Sequence, residues 1–291
     1  MPDRELKPGQ RARIHVHDAV TGDDVVIHES DGVLFEAPNW SLDGRTLLVN
    51  GAGTLWSLAP EEGAQPQRIE HEGLPEINND HVLDPDGRSI YMSAADGHIH
   101  RGDLIGGAVE RVTSDEGVWH FLHGVSPDGR LLAYVRMASF QEPGVLALIP
   151  ATGGETTVVD TGEGHIDGPE FSPDGSWLYF NTERWADAPG HAQLARVPVD
   201  GGEVERLVTS RTVDWFPHLA PDGRTAVYIE FPTGTLGHPA DRDVALVIVD
   251  TDDWGSPRER IPLPGGQGTI NVNSWSPDSR RFAYVSYPFE P

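Results

Sequence analysis

Six copies of one short unit limit the folds open to this chain more than any other feature of its sequence. They read Trp40-Ser-Leu-Asp-Gly44, Leu83-Asp-Pro-Asp-Gly87, Val125-Ser-Pro-Asp-Gly129, Phe171-Ser-Pro-Asp-Gly175, Leu219-Ala-Pro-Asp-Gly223 and Trp275-Ser-Pro-Asp-Ser279. The unit has the chemistry of a tight turn: proline presets φ, aspartate bonds the nearby backbone, and glycine accepts the positive φ that other residues avoid. Each copy is followed by a short run rich in β-branched and aromatic residues, such as Arg130-Leu-Leu-Ala-Tyr-Val135 and Arg224-Thr-Ala-Val-Tyr-Ile229. Such runs read as strands. In most units a further apolar segment, a Gly-Gly or equivalent turn and a fourth strand follow, as in 192–209. Four strands per period of 42 to 56 residues is the signature of a propeller blade.

The sixth unit ends after two strands, at Tyr287-Pro-Phe-Glu-Pro291, and the missing pair is expected from the other end of the chain. Residues 11–17, a turn at Thr21-Gly22 and residues 25–28 look like the outer half of a blade that lacks its inner half. The predicted fold is thus all-β: one six-bladed propeller over 1–291, its blades four-stranded and antiparallel, with blade 6 built from 268–291 plus 11–30. Closing the ring with mixed ends removes a free sheet edge.

Composition narrows the partners. Forty-six acidic residues against 21 basic give a formal net charge of -25, which repels nucleic-acid phosphates and anionic lipid surfaces. Cysteine is absent, so thiolate metal sites and a cysteine nucleophile are excluded. The N-terminal ten residues lack the apolar core of a secretory signal, and no apolar run approaches the length of a membrane span. A soluble, cytoplasmic monomer is expected. There is no Gly-x-Ser-x-Gly elbow, and Gly265-Gly-Gln-Gly268 precedes a strand instead of the helix that phosphate loops require, so no nucleotide cofactor is expected.

The repeat resembles that of the TolB-type propeller family, approximately Pro-x-Trp-Ser-Pro-Asp-Gly followed by a strand, and the resemblance covers essentially the whole chain. It implies the fold far more strongly than a function, since such blades occur in assembly proteins, peptidase propellers and sugar-acid lyases. The stretches 215–223, Gly237-His-Pro239 and 265–271 look like those of an intracellular TolB-like subgroup.

A site can be placed from strand order. With strands A to D running from the channel outward and the repeat turn joining A to B, the B–C loops share one mouth with the starts of the A strands. The long B–C insertions 138–144, 183–192 and 232–243 fall there, carrying Trp185, His191 and His238. Four residues before the turn proline stand His81 in blade 2 and His123 in blade 3; blade 5 has His218 one residue out of phase. Asn78, Asn79, Trp119, His120, His165, Asp167, Trp215, Gln267, Asn271 and Asn273 lie near the same starts. Loops on a rigid scaffold carry function, so this mouth is the predicted functional face.

Two classes of function follow. The first is a small-molecule site for a sugar or sugar acid, with metal-dependent lyase or hydrolase activity as its catalytic form. Asn79, Trp119, His165, Asp167, Trp185, Trp215 and Asn271 are its expected ligand-binding residues, the tryptophans for stacking on a sugar ring. His120 and Arg184 are its expected catalytic groups. Three histidines near an axis can hold a divalent ion, with manganese, zinc and calcium the candidates. Oligogalacturonate lyases, a related propeller family, use three histidines and a glutamine around a metal. That resemblance implies His81, His123, His218 and Gln267 as counterparts. The second class is a non-catalytic scaffold with a protein partner on the loop-bearing face. A plain structural reading stands beside both: channel histidines often only bond neighbouring carbonyls. Trp40 and Trp275 are expected in blade packing, and His15, His17, His28, His98 and His100 at the surface of outer strands.

Overall fold

The computed structural model describes residues 4–290, all in strands and turns. Two N-terminal strands, β1 (Ala12–Asp18) and β2 (Asp24–Ser30), come first. Blade 1 follows as β3 (Phe35–Trp40), β4 (Leu47–Gly51), β5 (Thr54–Leu58) and β6 (Gln67–Ile69). Blade 2 is β8 (Ile77–Leu83), β9 (Ser89–Ala94), β10 (Ile99–Asp103) and β11 (Gly107–Arg111), with the two-residue β7 (His71–Glu72) added parallel to its outer edge. Blade 3 is β12 (Trp119–Val125), β13 (Leu131–Met137), β14 (Val145–Pro150) and β15 (Thr157–Val158). Blade 4 is β16 (Ile166–Phe171), β17 (Trp177–Thr182), β18 (Gln193–Pro198) and β19 (Glu205–Arg206). Blade 5 is β20 (Val213–Leu219), β21 (Thr225–Phe231), β22 (Arg242–Asp250) and β23 (Glu259–Gly265). The last strand, β24 (Arg281–Ser286), pairs with β1 from Arg13↔Ser286 to Asp18↔Arg281, and β2 lies outside β1. The six blades form a propeller.

The repeat turn works as its residues dictate. In blade 3 the Ser126 hydroxyl donates to Asp128 at 2.7 Å and accepts from the Leu131 N–H at 2.9 Å, while the Gly129 N–H donates to the Ser126 carbonyl at 2.8 Å. Gly129 sits at φ 70°, where a Cβ is penalised. In the sixth copy Ser279 takes the same region at φ 60°.

Apolar packing lies between blades. Trp215, Ile229 and Leu246 of blade 5 meet Trp275, Phe282 and Tyr284 of blade 6, and Ile14 and Val285 of blade 6 meet Phe35, Trp40 and Val49 of blade 1. Trp40 and Trp275 are thus blade-packing residues, as expected. Five histidines were placed at the surface from sequence, and three of them, His17, His98 and His100, are buried. Inter-blade contact covers the outer strands as well as the inner ones, and each of these rings finds polar partners there. His17 lies 3.5 Å from Asp24 and 3.3 Å from Glu259, and His100 lies 2.9 Å from Asp96.

Two features shape the channel. Every innermost strand of blades 1 to 5 is interrupted by a bulge at the same level, at Glu36/Asn39, Ile77/His81, Leu122/Gly124, Asp167/Glu170 and Trp215/His218. Bulges re-aim side chains, and Ala37 and the bulky Phe216 hold positive φ (49° and 55°) within them. In blade 6, β24 bonds Ser274 and Thr269 from Ala283 and Val285, so that 270–273 loops out of the ladder. Asn39 of blade 1, His123 of blade 3 and His218 of blade 5 all bond carbonyls of that segment. A segment touched from three separate blades lies across the channel and plugs it.

Candidate functional site

The loops and A-strand starts predicted to share a mouth enclose one depression there, in two adjoining lobes. The deeper lobe, a cavity of about 240 Å³, is walled by Asn78, Asn79, Asp80, Phe121, His123, Met137, Phe140, His165, Asp167, His238, Gln267 and Asn271. The outer lobe, about 170 Å³, shares Asn78, Asn79, Phe121 and Gln267 and adds Arg4, Glu36, Asn50, Glu76 and Trp119. Blades 1 to 4 supply strand residues, blade 5 the loop carrying His238, blade 6 its looped-out segment and the turn before it, and the N-terminal stretch Arg4.

An ionic array lines the deep lobe. Asp167 lies among three imidazoles: His123 Nε2 is 2.9 Å from Oδ1, His238 Nε2 is 3.5 Å from Oδ2, and His165 Nε2 is 3.9 Å from Oδ2. The Gly144 N–H donates to His165 Nδ1 at 2.9 Å, which places the His165 proton on Nε2, toward Asp167. His123 also donates from Nδ1 to the Asn271 carbonyl (3.2 Å), and its Nε2 is 3.9 Å from Asp80. Burial opposes charge on His123, but Asp80 and Asp167 together outweigh it and raise the ring to about 9. Burial opposes charge on Asp167 too; hydrogen bonds from His123 and His238 overcome it and hold that carboxyl well below the usual range. Asp80 goes the other way. Burial, aided by the charge of Asp167 and only partly offset by His123, lifts it to about 6. At neutral pH the array is an imidazolium between two carboxylates, one of them poised near neutrality. Neighbouring acids pushed apart in pKa can take different roles in proton transfer.

Of the residues expected from sequence, Asn79, His123, His165, Asp167, Gln267 and Asn271 line the deep lobe and Trp119 the outer one. Trp119 stacks parallel to Phe121 (6.2 Å, 6°). The others are elsewhere. Trp215 is 0% exposed and offers no face to a sugar; it packs against His238 at 4.5 Å and forms a floor under that ring. Trp185 packs on the core between blades 3 and 4, with the guanidinium groups of Arg184 and Arg206 over it. Arg184 itself donates to the Thr161 carbonyl at 3.0 Å and lines neither lobe. His120 points between blades 2 and 3, stacked on His98 at 5.6 Å and bonded to the Gly97 carbonyl at 2.6 Å; burial lowers its pKa. Strand alternation sends His120 and the cavity residue Phe121 to opposite faces.

The four residues expected to hold a metal do not share a shell. His218 gives Nδ1 to Glu170 at 2.7 Å and Nε2 to the Ile270 carbonyl at 2.6 Å. His123 is occupied as described. His81 bonds Asn39 at 2.7 Å through Nδ1, its Nε2 is buried without a partner, and burial lowers its pKa to about 3. Gln267 bonds Asn79 and Asn271, both at 3.3 Å. Carbonyls of the plug take the imidazole N–H groups of His123 from blade 3 and His218 from blade 5. Among the described residues no group of three or more His, Asp or Glu side chains is arranged to hold a metal ion, so this set, as folded, does not fit one. Sequence reasoning also passed over Asp80, Glu36 and Arg4. Asp80 is flanked by Asn79 and His81, both singled out, and the bulge that turns it into the cavity leaves no mark in the sequence. His238 was placed at this mouth by its loop alone.

No family model matches the chain. A curated relative, the uncharacterised protein Atu1656 of Agrobacterium fabrum, is 38% identical over 258 residues, covering 87% of this chain and 85% of that protein. A solved structure provisionally assigned as TolB from Agrobacterium tumefaciens superimposes with a TM-score of 0.87 at 35% identity, over 96% of this chain and 99% of that one. This chain belongs to the TolB-like propeller family. An oligogalacturonate lyase in complex with manganese shares the fold of this TolB-like propeller at a TM-score of 0.58 and 16% identity, over 94% of this chain and 78% of that one. At that distance the likeness is one of architecture.

Proposed function

We propose that this TolB-like propeller binds a small hydroxyl-rich molecule of the sugar class in the loop-side mouth of its channel and performs proton-transfer chemistry there, of lyase or hydrolase type. The observation that carries the reading is the placement of Asp80, His123 and Asp167 in the wall of one cavity. Asp80 is the acid–base group: a carboxyl titrating close to neutral pH can both take and return a proton. His123, charged and fixed between Asp167 and the Asn271 carbonyl, offsets negative charge that develops beside it. Asn78, Asn79, Gln267 and Asn271 present amides to hydroxyls, and Trp119 with Phe121 supplies an apolar wall, the mixture typical of ligand sites. Proton transfer by Asp80 needs no metal ion. A thermal-shift panel of glucose, galactose, glucuronate and glucosamine, followed by product detection on the matching glycosides, tests this. Asp80→Asn is expected to keep binding and lose turnover. Absence of any shift across the panel at millimolar concentration overturns the reading.

A second reading has its own observation. Phe140 and Leu236, on the B–C loops of blades 3 and 5, are 53% and 67% exposed at this face, and exposed apolar side chains on such loops suit a protein partner. Shortening the 232–243 loop would then abolish stoichiometric capture of a partner from native lysate, whereas Asp80→Asn would not.

A further inference from the structure

We infer that the ligand of this mouth is cationic, an amino sugar or similar polyhydroxylated amine, with its ammonium group in the outer lobe between Glu36, Glu76 and the Trp119 side. The inference rests on the sugar-class reading above and specifies the charge of the ligand. The two lobes together present four carboxyl groups, Glu36, Glu76, Asp80 and Asp167, against two cations, Arg4 and His123. Both cations are engaged. His123 is held by Asp167. Arg4 reaches Glu36 at 2.7 Å, bonds the Gln267 carbonyl, stacks 4.3 Å over the Tyr287 ring and lies 3.7 Å from Asp241. Glu76 is exposed at the rim and has no cationic partner among the described residues.

An independent observation gives the polarity of the missing group. Asn50 is 4% exposed and lines the outer lobe; its Nδ2 donates to Glu36 at 3.2 Å, and its Oδ1 is buried with no hydrogen-bond partner. A buried acceptor left unpaired is costly, and a donor-rich group entering the lobe would satisfy it. An ammonium carries three donors and no acceptor, so it suits Asn50 Oδ1 and the adjacent carboxylates together. Arg4 Nη2, also buried and without a hydrogen bond although 3.7 Å from Asp241, suits a ligand hydroxyl oxygen. Aromatic faces beside carboxylates favour cations further. An anionic sugar would meet the opposite field.

The test is calorimetric titration of the full chain at pH 7 with glucosamine, N-acetylglucosamine, glucose and glucuronate. Glucosamine is expected to bind at least about tenfold more tightly than glucose or its N-acetyl form, the equivalent of about 1.4 kcal/mol, with glucuronate weakest, and added salt should shrink the advantage. Glu76→Gln, a change at an exposed position of the lobe, should remove most of that preference. Equal binding of glucose and glucosamine, tighter binding of glucuronate, or a preference untouched by Glu76→Gln overturns the cation inference and leaves the sugar-class reading standing. Binding by none of the four overturns both.

Discussion

Replacing Asp80 by asparagine should uncouple the stability of the protein from pH in a defined window. A buried carboxyl raised from 3.8 to about 6 binds its proton more tightly in the folded state than in the unfolded one. The stability this contributes is therefore present below pH 3.8 and is lost as pH rises through about 6. The size of the loss is the shift of about 2 units times about 1.4 kcal/mol per unit, on the order of 3 kcal/mol. Asp80 is only 4% exposed, so solvent screening reduces this little. Asparagine keeps the shape and does not titrate. The gap in unfolding free energy between Asp80→Asn and the wild type should thus move in favour of the variant by about 2–3 kcal/mol between pH 4 and pH 7.5, equivalent to several degrees in melting temperature for a chain of this size. Urea denaturation of both proteins at matched ionic strength measures it: titrating groups outside the array largely cancel in the difference, while His123, whose raised pKa rests partly on Asp80, shifts downward in the variant and contributes to the gap. A difference that stays flat from pH 4 to 7.5 refutes the placement of an ionising Asp80 in the wall of the cavity. A gain in stability together with lost turnover would be the trade expected of a group kept in an unfavourable place for its chemistry.

Removing the cation instead should be severe: His123→Asn leaves Asp80 and Asp167 without the imidazolium between them, and a loss of about 3–5 kcal/mol is expected by denaturant unfolding at pH 7. Ile14→Ala in β1, fully buried at the junction that closes the ring, should cost about 2–5 kcal/mol and broaden the size-exclusion profile if closure fails. Gly175→Ala places a Cβ at φ 73° with Pro127 at an ordinary 3.5 Å, so backbone strain alone should lower stability by about 1 kcal/mol. Arg184→Ala, which removes a bond to Thr161 remote from both lobes, should leave sugar affinity within about twofold by titration calorimetry.

What could be read from the sequence was whatever local chemistry repeats. The turn Ser126-Pro-Asp-Gly129 dictates its own geometry, and six copies with two orphan strands at 11–30 imply a ring closed by its ends, as the β1–β24 ladder shows. The mouth was legible for the same reason, since strand order alone decides where the B–C loops fall. Side-chain direction was not. Counting back from the turn proline puts His81 and His123 in phase and His218 one residue out, but the innermost strands are bulged at His123 and immediately before His81 and His218, and one extra residue reverses the face a side chain takes. His81 turned against Asn39, His218 toward Glu170 and the plug, and the neighbour Asp80 into the cavity. The plug itself leaves a faint trace: Gly265-Gly-Gln-Gly268 marks a departure from regular pairing without saying where the chain goes next.

Those same irregularities join closure of the ring to assembly of the site. Asn271 reaches the cavity because 270–273 leaves the ladder of blade 6, and the turn just before it, which carries Gln267, is held by the Ala37 N–H on Gly268 O (2.7 Å) and by Arg4 on Gln267 O. The N-terminal stretch that carries Arg4 also grips the loop bearing His238: Lys7 and Gln10 each reach Asp241 at 2.6 Å, and the Gln267 N–H bonds the Pro239 carbonyl at 3.2 Å. Residues from both ends of the chain and from blade 5 therefore meet over one cavity, next to the β1–β24 pairing that closes the ring. A propeller closed by a single terminal blade would satisfy its sheet edge equally well. The mixed closure used here also sets residues of both ends of the chain around the site, so a variant that loosens the β1–β24 ladder, such as Ile14→Ala, should bind ligand more weakly.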